Sequence, residues 1–285
     1  MNLIIKTMSC EVKPKAVSLF SGCGGLDLGF INAGFEIIWA NDFFPEAVET
    51  YRRNISEHIV LGDITNIPSS DIPDNFDILL GGFPCQGFSI ANKNRGMKDK
   101  RNFLYKEMLR IVKNKCPPFF LAENVKGLLT MHKGKVIEMI VNDFEELGYK
   151  VDYKLLRASD YGVPQIRKRV FFVAVRKEIG VFCFPEPLLT KQTYVTCEHA
   201  IGDLPSLQNE LGSNKMEYSC APKNNFQRQM RNGTNVLYNH LGTKHTDHVI
   251  NVISQVPEGG NHKDLPPGVG DSRKFNEAWT RYHSK

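Results

Sequence analysis

Long hydrophobic runs are absent from this sequence of 285 residues. None approaches the roughly 18 consecutive apolar residues that a membrane span needs. The opening letters, MNLIIK, lack the apolar centre and the cleavage site of a secretory signal. Internal repeats and low-complexity tracts are also absent. We therefore expect a globular, intracellular and cytoplasmic protein with no membrane partner.

Paired cysteines are absent as well. The seven cysteines include no Cys-x-x-Cys pair, which argues against both a zinc ribbon and a disulfide framework. His240, His245 and His248 could join Cys220 on a metal ion, but histidines spaced in this way are more often found on a solvated surface. We expect no metal site.

A strong charge of either sign is missing too. The sequence has 36 Lys and Arg against 31 Asp and Glu, a formal net charge of +5. This mildly basic balance is compatible with a polyanionic partner and also with many ordinary proteins. Hydrophobic residues at 41% and charged residues at 24% are typical of a globular chain.

Short apolar strands alternate with helices in the first part of the chain. We predict strands at residues 16–20, 36–40, 58–61, 76–80, 117–122, 151–156 and 169–175. We predict helices after residue 21, from Pro45, and over residues 104–113 and 136–147. This alternation predicts a doubly wound α/β sheet. Beyond residue 176 the pattern gives way to Pro-, Gly- and Asn-rich stretches with short helices, including 225–231, so we predict domains at 1–176 and 177–285.

A glycine-rich loop follows the first predicted strand. Glycines at 22, 24 and 25 carry no Cβ, so a cofactor can lie against the backbone amides at the amino end of the next helix. Their spacing differs from the dinucleotide-binding fingerprint. A tight turn without a ligand is the alternative interpretation.

An acidic residue and an aromatic residue end the second predicted strand. Asp42 follows the glycine loop by about twenty residues, the position at which nucleotide-binding α/β folds place an acid on ribose hydroxyls. Phe43 can stack on an adenine ring. The alternatives are a helix N-cap for Asp42 and a core position for Phe43.

One cysteine lies on a restrained loop. Cys85 follows the strand at 76–80, a flexible Gly81-Gly82 exit and Pro84. A thiol at a strand's carboxyl end lies where open α/β sheets bind their ligands. Free cysteine is more often a small buried hydrophobe, but the turn-rich surroundings favour an exposed functional thiol here.

Further charged residues lie at strand ends and in one loop. Asp63 and Glu123 each follow a strand, and Glu123 can lie across the crevice from Cys85. Arg167 and Arg169 alternate and are expected to share one strand face, where they need an anion or the surface. The basic loop at residues 92–101 could clamp a phosphate backbone or simply be solvated.

Five of these features, taken in order, resemble the motif series of the C5-cytosine DNA methyltransferases. They are residues 20–25, residues 42–43, Pro84-Cys85-Gln86, Glu123-Asn124-Val125 and Gln165-x-Arg167-x-Arg169, and the resemblance covers roughly residues 16–175. It implies a Rossmann-like, S-adenosylmethionine-dependent methyltransferase sheet with a smaller, irregular target-recognition domain, of which residues 177–285 form a part. The implied partner is double-stranded DNA, in a restriction-modification system and near the nucleoid if the source is bacterial.

The resemblance also implies a cofactor pocket. S-adenosylmethionine would bind there and leave as S-adenosylhomocysteine. The implied pocket residues are Phe20, Ser21, Gly22, Cys23, Gly24, Gly25, Asp42, Phe43, Asp63, Ile64, Pro84 and Leu104.

The implied catalytic residues are Cys85, Glu123, Arg167 and Arg169. The target cytosine is flipped from the duplex, and Cys85 attacks C6, which makes C5 nucleophilic. Only a few per cent of a cysteine is ionised at neutral pH, so the arginines are expected to favour the thiolate. Glu123 would act at N3 and Arg169 at O2. The base that removes the C5 proton is not identified, and water is one candidate.

Two closing motifs of the family are not found after the arginine motif. Three hypotheses follow: a truncated chain, one subunit of a split methyltransferase that a carboxyl-terminal polypeptide completes, or a non-catalytic DNA-binding relative. An RNA cytosine methyltransferase is less favoured. A nucleotide-binding oxidoreductase leaves Cys85, Glu123 and the arginine pair unexplained. Without the closing helix, we expect an exposed apolar helix face beside the glycine loop.

Overall fold

A computed structural model describes residues 12–84, 104–207, 211–257 and 259–269. Cys85 and the predicted basic loop at 92–101 lie outside the described residues. The chain divides into two compact units, residues 1–157 with 167–186, and residues 158–166 with 187–285. The domain boundary predicted after residue 176 falls inside the first unit.

The first unit contains the predicted alternation of strands and helices. Its strands are β1 (Lys15–Leu19), β2 (Glu36–Asp42), β3 (Ile59–Leu61), β4 (Ile78–Gly81), β5 (Phe119–Val125), β6 (Tyr149–Arg157) and β7 (Lys168–Arg176). Its helices are α1 (Gly25–Asn32), α2 (Pro45–Asn54), α3 (Tyr105–Lys115) and α4 (Lys135–Glu145). Every strand and helix predicted before residue 176 is present, with its ends shifted by a few residues.

The seven strands form one sheet in the order β3-β2-β1-β4-β5-β7-β6. Strands β1 to β5 are parallel, and β7 runs antiparallel to both β5 and β6. The strand order reverses between β1 and β4, which is the topological switch point where doubly wound sheets bind their ligands. The predicted fold class is therefore confirmed, and the loops after β1 and β4 begin at the same edge of the sheet.

Helices cover the two faces of this sheet unequally. On one face, Met108 of α3 and Phe144 of α4 are buried in a large cluster with Leu79 and Phe120. On the other face the cluster is smaller, and Tyr51 of α2 is its largest fully buried side chain. Helix α1 adds only partly buried apolar side chains, and Asp27 is its one buried residue. The fold thus places a buried acid where an apolar residue would be expected.

The predicted flexible exit at Gly81-Gly82 is wrong for Gly81. This glycine is the last residue of β4, not part of a flexible exit. A Cβ at Gly81 would lie 2.6 Å from Met108 Sδ. The missing side chain lets α3 pack closely against the strand that leads toward Cys85.

The second unit is built from short elements. These are α5 (Cys197–Ile201), β8 (Gly212–Glu217), α6 (Asn225–Arg231), β9 (Val236–Leu241) and α7 (Asp247–Ser254). The predicted helix at 225–231 is present, whereas the antiparallel pair of strands β8 and β9, which flank that helix in the chain, was not predicted. A buried ion pair with 2.6 Å between Arg231 Nη2 and Asp203 Oδ2 lies in this unit, and the Tyr218 ring stacks 3.6 Å from the guanidinium carbon.

Two classes of feature are not found among the described residues. No helix there is both long enough and apolar enough to cross a bilayer. No group of three or more His, Cys, Asp or Glu side chains there is arranged to hold a metal ion.

Candidate functional site

The glycine loop after β1 has an unusual backbone. Phe20, Gly22 and Gly24 adopt positive φ angles of 55°, 56° and 89°. Phe20 is the informative one, because a non-glycine residue in the left-handed region is strained unless its surroundings enforce that conformation. The loop is therefore held in a defined shape by its neighbours.

The glycines of this loop have two different roles. No atom lies within 4 Å of a Cβ placed at Gly22 or Gly25, so the backbone is open to a ligand at both positions. At Gly24, in contrast, a Cβ would overlap Ile55 and lie 2.9 Å from Tyr51 Cδ2. Gly24 is thus required for packing against α2, whereas Gly22 and Gly25 form an open cradle.

The end of β2 is hydrogen-bonded to the glycine loop. The Ser21 amide donates to Asn41 O at 3.0 Å, and the Gly22 amide donates to Asp42 Oδ2 at 2.8 Å. The other carboxylate oxygen, Asp42 Oδ1, accepts from the Phe44 amide at 2.9 Å. Each carboxylate oxygen retains acceptor capacity, so Asp42 can shape the loop and still accept a hydrogen bond from a ligand.

Phe43 lies beside this carboxylate with its side chain 54% exposed. The exposure excludes the alternative of a core position. Its ring centroid lies 3.9 Å from that of Phe44, which is also exposed. An exposed aromatic pair at a strand end offers a stacking surface for a planar group.

The end of β3 contributes backbone more than side chains. Asp63 caps the short 3₁₀ turn Ile64–Asn66, its Oδ1 accepting from the Thr65 amide at 2.9 Å. The Ile64 side chain is buried in the core. In the predicted cofactor pocket, Ile64 can therefore contribute its backbone groups, while Asp63 is exposed.

The ends of β1 and β2 fit a nucleoside-containing cofactor. The open cradle at Gly22 follows β1, and the acceptor Asp42 and the exposed ring of Phe43 lie at the end of the neighbouring β2. Together they offer backbone donors, a hydroxyl acceptor and a stacking surface.

An ion pair lies at the end of β5. Arg169 Nε is 2.8 Å from Glu123 Oε1, and both side chains are about one quarter exposed, 23% and 28%. A Cβ at Gly82 would lie 3.8 Å from Glu123 Oε2. The Glu123 carboxylate therefore lies next to Gly82, in the segment that precedes Cys85 in the chain.

The sequence analysis missed the structural role of Asn124. This side chain is buried, and its Nδ2 donates to Phe83 O at 3.0 Å while its Oδ1 accepts from the Val125 amide at 2.8 Å. It thereby fixes the chain two residues before Cys85. A buried amide among apolar strand residues is the signal that could have indicated this role.

The remaining predicted residues are placed as follows. Arg167 is exposed and precedes β7, which begins at Lys168, so Arg167 and Arg169 do not share a strand face as predicted. The β6-β7 ladder begins with the Arg157–Lys168 pair, which leaves Arg167 outside it. Cys23 is exposed, and Pro84 and Leu104 are half-buried.

Comparisons with known proteins agree with this geometry. The family described as C-5 cytosine-specific DNA methylase matches residues 15–275. The chain belongs to this family. The motifs predicted from the sequence at residues 20–25, 42–43 and 123–125 lie at the carboxyl ends of β1, β2 and β5 in one sheet.

Individual family members give the scale of the similarity. The chain is 44% identical to the Type II methyltransferase M.NgoFVII of Neisseria gonorrhoeae, over 90% of this chain and 63% of that protein. It is 38% identical to M1.HphI of Haemophilus parahaemolyticus, over 94% and 68%. A crystal structure of an E. coli prophage protein, described as a candidate DNA modification methyltransferase, superposes with a TM-score of 0.73 and 26% identity, over 90% of this chain and 80% of that chain. The chain thus spans about two thirds of these Type II relatives.

Proposed function

We propose that this chain carries out DNA cytosine-5 methylation, with S-adenosylmethionine as the methyl donor and double-stranded DNA as the substrate, in a restriction-modification system. The observation that carries the proposal is the Glu123–Arg169 pair beside the segment entering Cys85. Relatives named as Type II methyltransferases support it.

The cofactor residues support the choice of methyl donor. Asp42 would accept the ribose hydroxyls, Phe43 would stack on adenine, and the Gly22 region would accommodate the amino-acid portion. Ser21, Cys23, Asp63, Pro84 and Leu104 would line the rest of the pocket. When bound, S-adenosylmethionine supplies an electrophilic methyl group, and the site's own residues prepare the cytosine to react with it.

Activation of the cytosine is assigned to Cys85. Its thiolate would form a bond to C6, and the electron pair of the C5–C6 double bond would move onto C5 and into the ring. After C5 has reacted, a base would remove the C5 proton, the C5–C6 double bond would re-form and the Cys85–C6 bond would break. Arg167 and Arg169 would favour the ionised thiol.

Glu123 and Arg169 are assigned to the ring. Glu123 would share a proton with N3 as charge builds up in the ring, and Arg169 would donate to O2. Their ion pair, 2.8 Å between Arg169 Nε and Glu123 Oε1, would hold both groups in position before the base enters.

Residues 177–285 are proposed to form part of the target-recognition region, and residues 1–176 the catalytic domain. Extrusion of the cytosine from the duplex would precede the chemistry. Action on chromosomal DNA would place the protein in the cytoplasm, at the nucleoid of a bacterial cell.

A complementing carboxyl-terminal polypeptide is a further part of the proposal. Two apolar side chains of α1 are exposed, Leu28 at 48% and Ile31 at 36%. Phe119 and Leu121 on the same sheet face are only partly buried. Relatives of greater length and an uncovered apolar face together favour a further segment that packs here.

The test is transfer of a labelled methyl group to mixed-sequence DNA and, in parallel, to mixed RNA. We expect label in DNA at C5 of cytosine within a defined sequence. Label in RNA alone would favour the RNA-methylating alternative. DNA binding without label, even with the complementing polypeptide present, would favour a non-catalytic relative.

A further inference from the structure

A buried polar cluster lies directly beneath the glycine loop. It consists of Ser18 on β1, Asp27 in the first turn of α1, Tyr51 on α2 and the loop residue Ser21, and His58 Nε2 lies 2.9 Å from Tyr51 Oη at its far end. The side chains of Ser18, Asp27 and Tyr51 are fully buried. No residue of the cluster except Ser21 belongs to the predicted cofactor pocket.

The Asp27 carboxylate joins three elements. Ser18 Oγ donates to Asp27 Oδ1 at 2.6 Å, and Tyr51 Oη donates to Asp27 Oδ2 at 2.8 Å. Burial raises the pKa of Asp27, and the two hydroxyl donors oppose that rise. Burying an acid is unfavourable unless its partners are well placed. An acid buried here only to make structural contacts would therefore reduce the free energy of unfolding.

The cluster reaches the loop by two routes. Ser21 Oγ donates to Ser18 Oγ at 3.0 Å, so a chain of hydrogen bonds runs from the loop through Ser18 to Asp27. The Tyr51 ring supports the other side, because it lies where a Cβ on Gly24 would be. Both ends of the loop segment 21–24 thus depend on side chains that Asp27 holds.

The backbone of the loop needs such support. Phe20 and Gly22 have left-handed φ angles of 55° and 56°. Strained backbone persists where the surroundings over-determine it, and this happens most often at ligand sites. Among the described contacts, two sets restrain the loop. Ser18 of the Asp27 cluster binds the Ser21 side chain, and Asn41 and Asp42 at the end of β2 accept from the Ser21 and Gly22 amides.

We propose that Asp27 and Tyr51 are positioning residues that hold the Ser21–Gly24 backbone in the shape that receives the cofactor, an inference that rests on the proposed function. They do not touch the cofactor. They act through Ser18, Ser21 and Gly24, and their removal loosens the loop without removing any group of the pocket.

Local amide hydrogen exchange of the 285-residue chain tests the proposal without needing activity. Tyr51→Phe keeps the ring against Gly24 and removes the hydroxyl that contacts both Asp27 and His58. Asp27→Asn keeps the shape of the side chain and leaves the Tyr51–His58 contact in place. The matched control is Tyr149→Phe, since this buried tyrosine donates to Pro117 O at 2.7 Å at the opposite edge of the sheet.

We expect exchange over residues 18–30 to accelerate about tenfold in both variants, with little change in β5 and β7. The control should leave residues 18–30 unchanged. Unaltered exchange over residues 18–30 in Tyr51→Phe would overturn the proposal. So would equal acceleration throughout the first unit, which would indicate a general structural role.

A second measurement separates this inference from the proposed function. Calorimetric binding of S-adenosylhomocysteine, with the complementing polypeptide present, should weaken about tenfold in Tyr51→Phe. Unchanged affinity despite a loosened loop would overturn the link to the cofactor. A wild-type protein that binds no cofactor would refute the proposed function, and the exchange result alone would then decide whether Asp27 and Tyr51 position the loop.

Discussion

At the scale of single residues, the Glu123–Arg169 pair gives the sharpest expectation for catalysis. Glu123→Gln retains a hydrogen-bonding group but cannot donate a carboxyl proton to the ring. We expect a slowing of the single-turnover methyl-transfer rate by about 100-fold or more, the usual range for a lost general acid. DNA affinity should change little, because the contact strengthens only as charge develops.

Glu138→Gln is the control for this variant, since Glu138 is an exposed acid on α4. It should leave both quantities unchanged. A normal chemical rate combined with weaker DNA binding in Glu123→Gln would reassign Glu123 to a contact with the DNA backbone.

Asp42 gives the corresponding expectation for the cofactor pocket. Asp42→Ala removes the acceptor for the Gly22 amide and the acceptor proposed for the ribose, so cofactor binding should weaken by about 1–3 kcal/mol. Calorimetry measures the difference. Asp77→Ala is a matched control. Asp77 Oδ2 also accepts a hydrogen bond from a backbone amide, Lys15 N at 2.6 Å, but it does so at the amino ends of the strands, away from the glycine loop. Equal losses in the two variants would show that Asp42 has no specific role toward the cofactor.

The residues that sequence analysis found and missed differ in a physical way. Asp42, Phe43 and Glu123 lie at or just after the carboxyl ends of parallel strands, so topology alone brings them to one edge of the sheet. Asp27 and Asn124 are buried polar groups whose partners come from other elements. Their value depends on three-dimensional contacts that no local pattern encodes, and for that reason they could not be predicted.

At the scale of elements, the packing of α2 against the start of α1 depends on Gly24. Gly24→Ala should destabilise the fold by about 1–3 kcal/mol beyond the penalty for a left-handed alanine, because the methyl group would overlap buried side chains. Gly34→Ala isolates that penalty, since Gly34 has a φ of 96° and no atom within 4 Å of its Cβ position. Urea unfolding compares the two, and equal destabilisation would contradict the packing argument.

The elements themselves were predictable to different degrees. Strands β1 to β7 were found because buried strands of a doubly wound sheet are short apolar runs between helices. The β8-β9 pair was not, since polar residues such as Asn214 and Lys215 are exposed on it and interrupt the alternation of apolar and polar residues. Its strands are defined by pairing with each other more than by a buried face.

At the scale of the whole molecule, the uncovered face of α1 predicts dependence on a further segment. The 285-residue chain alone should bind S-adenosylmethionine weakly and methylate DNA slowly or not at all. Adding the carboxyl-terminal third of a Type II relative should restore both, because association would cover the apolar face and the bound cofactor would stabilise the complex. Leu28→Glu should weaken that restoration, with exposed Glu57→Gln on the α2-β3 connection as the control. Full activity of the isolated chain would contradict this expectation.

The most direct measurement of the proposed chemistry is trapping on DNA that carries 5-fluorocytosine at the target position. Fluorine at C5 blocks the final elimination, so an enzyme that adds a thiolate to C6 stays covalently bound. With the cofactor and the complementing polypeptide present, we expect a stable protein–DNA adduct that peptide mapping places on Cys85. Cys85→Ser should abolish the adduct, whereas Cys23→Ser, in the glycine loop, should still form it. No adduct from an enzyme that methylates ordinary cytosine, or an adduct on another cysteine, would contradict the assignment of Cys85 as the nucleophile.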